Sequence, residues 1–278
     1  MPIDFGGTDE RVLIANESNF DQTTNLSMGA WVYREGSGTR QTWLSKGNGN
    51  ASANGWLWDF AGFTAGEIEF FLVTNTDRFF NVGTPLAQNT WTHVCVVWDS
   101  GETGDDRLKI YTNGVHQAGA TYTNNGIITT IEPNNLSVRL GINSSIINPW
   151  VGKVTEAFYY DVSLTDAEVA AIANSYVKYA PGQVSPSSLV ACWPMDDGPD
   201  GTSADGDTVR DISGNGNTGT GDDGAENDLT WAAEEVLSYS AYTITPQSIA
   251  GAAPAAGFLG TPRGPFRGIN RGIQRGVA

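Results

Sequence analysis

Short apolar and aromatic runs follow one another through the first 160 residues, and clusters of Gly, Asn and Asp separate them. The runs at Ile3–Phe5, Arg11–Ile14, Ser27–Tyr33, Thr42–Lys46, Gly55–Phe60 and Glu67–Val73 read as β-strands. So do those at Phe79–Val82, Thr92–Asp99, Leu108–Thr112, Ser137–Ile142 and Val151–Tyr160. A spacing of roughly ten residues with turn chemistry between runs points to a β-sandwich and away from alternating strand–helix units. In Ala30-Trp31-Val32-Tyr33 successive positions are all apolar, as in a strand buried on both faces. The run LKIYTNG (Leu108–Gly114) ends in Asn-Gly, the dipeptide of a tight hairpin turn.

One segment has the period of a helix. Thr165-Asp166-Ala167-Glu168 is a capping box, in which Thr165 and Glu168 each satisfy the other's backbone amide. Val169, Ile172, Ala173 and Tyr176 then follow at i, i+3, i+4 and i+7, predicting three turns with one apolar face. Such a helix braces or covers a sandwich, and no chemistry is assigned to it.

After a Pro/Gly/Ser break at Pro181–Ser188 a strand returns in SLVACWPM (Ser188–Met195), followed by an acidic, Gly-rich stretch over Asp196–Asp228. This stretch is too short and too acidic for a second core. The expected organisation is a sandwich over residues 1–180, an acidic segment over 181–237 that completes or extends its sheets, a connector over 238–262 and a tail over 263–278. The connector is rich in Ala, Gly and Pro, and the tail repeats as RGPF, RGIN, RGIQ, RGVA. Gly at every fourth position weakens a helix. An extended tail puts Arg263, Arg267, Ile269, Arg271, Ile273 and Arg275 on one face, a strip suited to strand addition and ion pairing. A solvated tail is the plainer reading. RNA binding is disfavoured, because Phe266 is the tail's single aromatic residue.

The runs NTWTHVCVVWD (Asn89–Asp99), LKIYTNG and VGKVTEAFYYDVSLTDAEVAAIAN (Val151–Asn174) resemble, in order and spacing, the laminin-G-like branch of the concanavalin A-like lectin/glucanase superfamily, as found in phage and bacterial surface proteins. DFGGTDERV (Asp4–Val12), NLSMGAWVY, TWLSKGN, Leu189–Pro194 and the SGNGN turn within Asp211–Gly219 extend the resemblance over roughly residues 1–230. It implies an all-β fold: a two-sheet antiparallel jelly-roll sandwich with one short helix, followed by an extended C-terminal tail. It also implies a structural Ca²⁺ between the acidic opening turn and the last strand, which here maps to Asp9, Glu10 and Glu156. Thr155 stands where the family has Asp, and losing a carboxylate weakens a Ca²⁺ site. Glycosidases of the fold carry a Glu-x-Asp-x-x-Glu strand. Glu67-Ile68-Glu69 departs from it and reads as an edge strand with outward charges.

Composition narrows the function. The net charge is −16, but the last sixteen residues carry four Arg and no acid, leaving 31 acidic against 11 basic residues before them. An acidic body disfavours nucleic acid as a partner. No run of eighteen apolar residues spans a membrane. The start, MPIDFGGTDERV, shows neither the basic nor the apolar region of a signal peptide. Cys95 and Cys192 lie in apolar runs, where two buried free thiols are the plainer reading; a disulfide requires neighbouring strands, an adjacency that the sequence leaves open. His93 reads as a core imidazole bonded to backbone. Asp211-Ile-Ser213-Gly-Asn215-Gly216 has the spacing of a Ca²⁺ loop but lacks flanking helices, so a β-turn is preferred. The cluster Asp196, Asp197, Asp200, Asp205 and Asp207 reads as a solvated acidic loop. Trp56, Trp58 and Phe79 are candidates for stacking on a sugar ring. The expectation is a non-catalytic structural protein, a phage virion decoration, cement or fibre protein that meets copies of itself or a shell protein through its tail. The alternative is an extracellular or cell-surface carbohydrate-binding or adhesion module, with or without calcium.

Overall fold

The computed structural model describes residues 2–15, 17–36, 40–47, 55–60, 67–73, 78–82, 85–118, 121–124, 129–175, 180–225 and 228–233. The chain divides into one compact unit, Met1–Ser238, and a second, Tyr239–Ala278. The second unit, with the Arg-repeat tail, lies outside the described residues.

The strands in chain order are β1 (Ile3–Phe5), β2 (Arg11–Ile14), β3 (Asn25–Arg34), β4 (Gln41–Lys46), β5 (Gly55–Phe60), β6 (Ile68–Val73), β7 (Arg78–Val82), β8 (Trp91–Asp99) and β9 (Leu108–Thr112). They continue as β10 (Val115–His116), β11 (Thr121–Asn124), β12 (Val138–Leu140), β13 (Gly152–Tyr160), β14 (Leu189–Trp193), β15 (Thr208–Val209), β16 (Gly219–Asp222) and β17 (Thr230–Trp231). An eight-stranded sheet runs β10-β9-β8-β3-β13-β1-β17, with β14 also paired to β13, and a nine-stranded sheet runs β11-β7-β6-β5-β4-β12-β2-β16-β15. Every pairing is antiparallel, so this is a two-sheet sandwich.

Period-two alternation explains the long apolar runs. In β8, Val94, Val96 and Trp98 enter the core between the sheets, while Cys95 and Val97 face a second cluster outside the eight-stranded sheet. β13 does the same with Ala157 and Tyr159 inward and Phe158 and Tyr160 outward. The helix α1 (Asp166–Ala173) closes that second cluster with Val169 and Ile172. Its capping box is formed: the Glu168 amide donates to Thr165 Oγ1 at 3.3 Å and the Thr165 amide donates to Glu168 Oε2 at 2.8 Å. The helix is shorter than its periodicity predicts. Asn174 ends it, donating its side-chain amide to the Ala170 carbonyl at 2.8 Å. Asn113 and Gly114 both have positive φ and make the β9–β10 hairpin turn.

The acidic segment contributes to both sheets: β14 pairs with β13, β17 with β1, and β16 with β2. Its Asp211 carboxylate is saturated by protein donors, the amides of Cys192, Ser213 and Asn217 and the Ser213 hydroxyl, at 2.8–3.0 Å. The SGNGN element is therefore a turn that anchors β14. The other acids lie largely at the surface, as a solvated loop predicts, but most of them also hold a partner. Asp205 accepts from the Asp223 amide, Asp207 from the Trp231 indole at 2.8 Å, and Asp196 and Asp197 pair with Arg210.

Cys95, Gly29, Phe158 and Cys192 lie on one cross-strand row. Three inter-strand steps of about 4.8 Å separate the sulfurs' strands by about 14 Å, twice what a disulfide spans. Both cysteines are buried and free, and burial pushes both thiols far above their ordinary pKa. In the native protein neither thiol should react with a thiol-exchange reagent, and both should titrate once guanidinium unfolds the chain. A Cys95–Cys192 link in non-reducing peptide mass spectrometry contradicts this.

Candidate functional site

The alternation of β5 decides the fate of the sugar-stacking candidates. Trp56, Trp58 and Phe60 point between the sheets, and Leu57 and Asp59 point out. Trp56 is 1% exposed and lies 5.5 Å from the Tyr159 ring; Trp58 is 0% exposed, 5.0 Å from Trp43 and 5.9 Å from Phe70. Both are core residues and neither can meet a sugar, because an apolar strand in a sandwich spends its aromatic residues on the interface between sheets. Phe79 is on β7, but its side chain lies outside the described residues.

The outer face of the nine-stranded sheet holds a polar group that the sequence did not reveal. Asp59 pairs in register with Thr42 on β4 and Glu69 on β6. Thr42 Oγ1 donates to Asp59 Oδ1 at 2.5 Å, and Arg40 Nε donates to Asp59 Oδ2. The Arg40 guanidinium also lies 4.8 Å from the centre of the Phe71 ring. Burial raises the Asp59 carboxyl to about 6, against the lowering effects of Arg40 and Thr42. The reading of Glu67-Ile68-Glu69 as an edge strand is corrected. β6 lies between β5 and β7, and Glu69 is buried. Residue alternation marked the outward charges, but strand order, which sets edge from centre, is a tertiary property.

On the other sheet His93 is buried against Phe158 (5.9 Å, stacked) and the edge of Trp31 (5.5 Å). Both ring nitrogens lack a hydrogen-bond partner among the described residues, and burial lowers the imidazole to about 3. It is a core residue as expected, but its ring is not bonded to backbone. Only its main-chain amide donates, to Asn113 Oδ1 at 3.0 Å.

Among the described residues, acidic side chains converge at one further place. One carboxylate oxygen each from Glu10, Asp223 and Asp228 lie within 4.8 Å of one another. The ladder between β2 and β16 places them, since Asp222 stands opposite Arg11 and brings Asp223 beside Glu10. Asp9 is next to this group and accepts from the Ala225 amide at 3.3 Å. Burial, and then the adjoining Asp228 carboxyl, holds Glu10 above the usual carboxylate range.

The Ca²⁺ set implied by the family, Asp9 and Glu10 with Glu156, is not brought together. Phe5 is level with Gly152, so the opening turn lies beyond that end of β13 while Glu156 lies four residues along the strand in the other direction. That is about 13 Å at the rise of a strand. Thr155, in the position of the family's acid, donates its hydroxyl to the Pro194 carbonyl at 3.0 Å. Those residues do not fit a shared ion. The departure at Thr155 was visible in the sequence, whereas Asp223 and Asp228 were hidden in a run of similar acids.

A family model for the concanavalin A-like lectin/glucanases superfamily matches residues 5–170. No curated protein matches in sequence. Among solved structures, a putative carbohydrate binding protein from Bacteroides ovatus is 18% identical, with a TM-score of 0.54 over 80% of this chain and 58% of that one. The heptameric SAP-like pentraxin from Limulus polyphemus is 17% identical, with a TM-score of 0.44 over 62% of this chain and 81% of that one. The CBM40 of the Ruminococcus gnavus IT-sialidase is 16% identical, with a TM-score of 0.48 over 63% and 97%. The family match, together with the two-sheet antiparallel sandwich and its bracing helix, places this chain in the concanavalin A-like lectin/glucanases superfamily.

Proposed function

We propose that the protein is a non-catalytic carbohydrate-binding or adhesion module whose ligand face is the outer side of the nine-stranded sheet. The inequality of the two outer faces carries this reading. The eight-stranded sheet is covered outside by Val169 and Ile172 of α1 and by Leu164, with Val162, Val184 and Ile212 packed against the same cluster. The nine-stranded sheet keeps a cross-strand row, Leu57, Ser45, Arg139, Leu13, Thr220 and Thr208, that passes from buried at β5 to exposed at β16 and β15. The exposed end of that row, with the Thr220 and Thr208 hydroxyls beside the half-buried Arg139 guanidinium, suits a ligand rich in hydroxyl groups. The lectins of the family are in keeping with it.

The buried titratable groups support the absence of catalysis. Glycoside hydrolysis needs one carboxyl free to give a proton and a second placed across the bond. Asp59 is instead tied by Thr42 and Arg40, and His93 is walled in by Trp31 and Phe158. Both groups belong to the fold, and their effects on stability oppose each other.

A second reading, assembly in a virion, is favoured by charge. An acidic body carries a tail with four Arg and no acid, a pairing that draws one copy's tail to another copy or to a shell protein.

A glycan array probed with the full chain should give a defined signal that Leu13→Arg combined with Thr220→Arg removes while the near-UV spectrum is kept. A silent array, or a signal indifferent to that pair, overturns the reading. Removing residues 263–278 should leave the thermal midpoint unchanged and abolish any salt-sensitive self-association seen by sedimentation. Unimpaired association of the truncated chain would sink the assembly reading.

The pH dependence has a definite sign. Asp59 moves from 3.8 to about 6 on folding, so between these values the folded chain holds a proton that the unfolded one has lost, and ionisation costs stability as pH rises. His93 moves from 6.5 to about 3, so its contribution is lost as pH falls below 6.5. Between pH ~4 and ~6 the two slopes cancel, each being about 1.4 kcal/mol per pH unit. Relative to wild type, Asp59→Asn should lose stability as pH falls through this window and His93→Leu should gain it. Denaturant titrations at several pH values check both signs.

A further inference from the structure

Two features of the acidic cluster at the opening turn call for a counter-ion. Glu10 is 1% exposed and Asp223 is 3% exposed, yet each keeps an oxygen that accepts no hydrogen bond from any donor among the described residues. Glu10 Oε2 is held by the amides of Gly7 and Thr8 at 2.9 and 2.8 Å, which leaves Oε1 bare. Asp223 Oδ1 is held by the Leu229 amide at 2.7 Å, which leaves Oδ2 bare. A buried carboxylate oxygen without a donor costs free energy, and a second and third negative charge beside it raise that cost.

The chain makes room for this convergence. An ideal Cβ on Gly6 would lie 2.2 Å from the Asp228 carboxylate, so a side chain at position 6 would push that carboxylate out of its present place. The nearby Arg11 does not neutralise the group, since its guanidinium is committed to the Asp9 carbonyl (2.8 Å) and to Asp222 (2.6 Å).

We propose that Glu10, Asp223 and the exposed Asp228 bind one hard divalent cation of the calcium class, which staples the acidic segment to the opening turn. All the donors are oxygens, with no His or Cys among them, which selects Ca²⁺ over zinc-like metals. Three carboxylates supply part of a six-to-eight oxygen shell that water completes. Mg²⁺, which demands a compact octahedron and gives up water reluctantly, binds more weakly. Two of the three ligands lie beyond residue 170, outside the family match, so this site differs from the last-strand arrangement that Thr155 has abandoned.

The test uses the full chain stripped with chelator and titrated with CaCl₂ or MgCl₂ by calorimetry, with Tb³⁺ luminescence as a second probe. The expected result is one Ca²⁺ per chain and a rise in thermal midpoint. Asp228→Asn and Asp223→Asn should each weaken binding by at least ~10-fold, since affinity follows the count of ligand charges. The side-chain carbonyl that Asp223→Asn retains can still accept from the Leu229 amide, so folding is kept. In chelator both variants should melt no lower than wild type, because like charges are relieved. Asp200→Asn, an exposed acid outside the cluster, should leave affinity unchanged. The proposal is overturned by a wild type with no saturable Ca²⁺ binding, as when a proton shared among the carboxyls suffices. It is equally overturned if Asp200→Asn weakens binding as much as Asp228→Asn, the mark of diffuse acidic attraction, or if Glu156→Gln alone removes it.

Discussion

Burial of β13 on both faces and both edges is the constraint on which the rest depends. One edge pairs with β3; the other is shared end to end by β1 and β14. The inner face feeds the sandwich core and the outer face the cluster under α1. Most of its main-chain groups are met by β3 on one edge and by β1 and β14 on the other, so these neighbours must be present for the ladder to be satisfied. At the step between β1 and β14 the ladder shifts register, and Glu156 takes a left-handed conformation that few non-glycine residues adopt. That bulge turns the strand from its pairing with the N-terminus to its pairing with the acidic segment.

The acidic segment follows from this arrangement as part of the fold. β14 seals one half of β13, Trp193 sends its indole N–H to the Asn217 carbonyl at 2.7 Å, and β16 covers the edge of β2. Its carboxylates serve mostly as acceptors for main-chain amides and for Trp231. An aspartate whose oxygens are met by amide donors is stabilised where a solvated one contributes little. The cluster of Glu10, Asp223 and Asp228 is the exception, and it stands where residues nearly the whole domain apart in sequence meet.

Much of the fold was legible. β1, β2, β5 and β9 occupy the runs that alternation marked, and β3, β4, β6, β7, β8 and β13 begin or end within two residues of theirs. The capping box was readable because its partners, Thr165 and Glu168, sit within one helical turn. The candidate sites were less so. Alternation in GWLWDF states that tryptophans and the aspartate face opposite ways, but not which way is solvent. Burial of Trp56 and exclusion of sugar from it depend on the sheet packed across from it. The short β15, β16 and β17 carry too few apolar residues to stand out from an acidic, Gly-rich loop.

Local chemistry in the sequence therefore determined the strands, the hairpin turn and the helix cap, since each rests on residues within a few positions of one another. It also determined the family, through the order of those runs. Strand order and register were left to the tertiary structure, and with them the separation of Cys95 from Cys192, the interior place of β6 and the meeting of Glu10 with Asp223 and Asp228. Those outcomes depend on pairings between segments far apart in the chain, where the energy gained by burying two faces together outweighs any local preference.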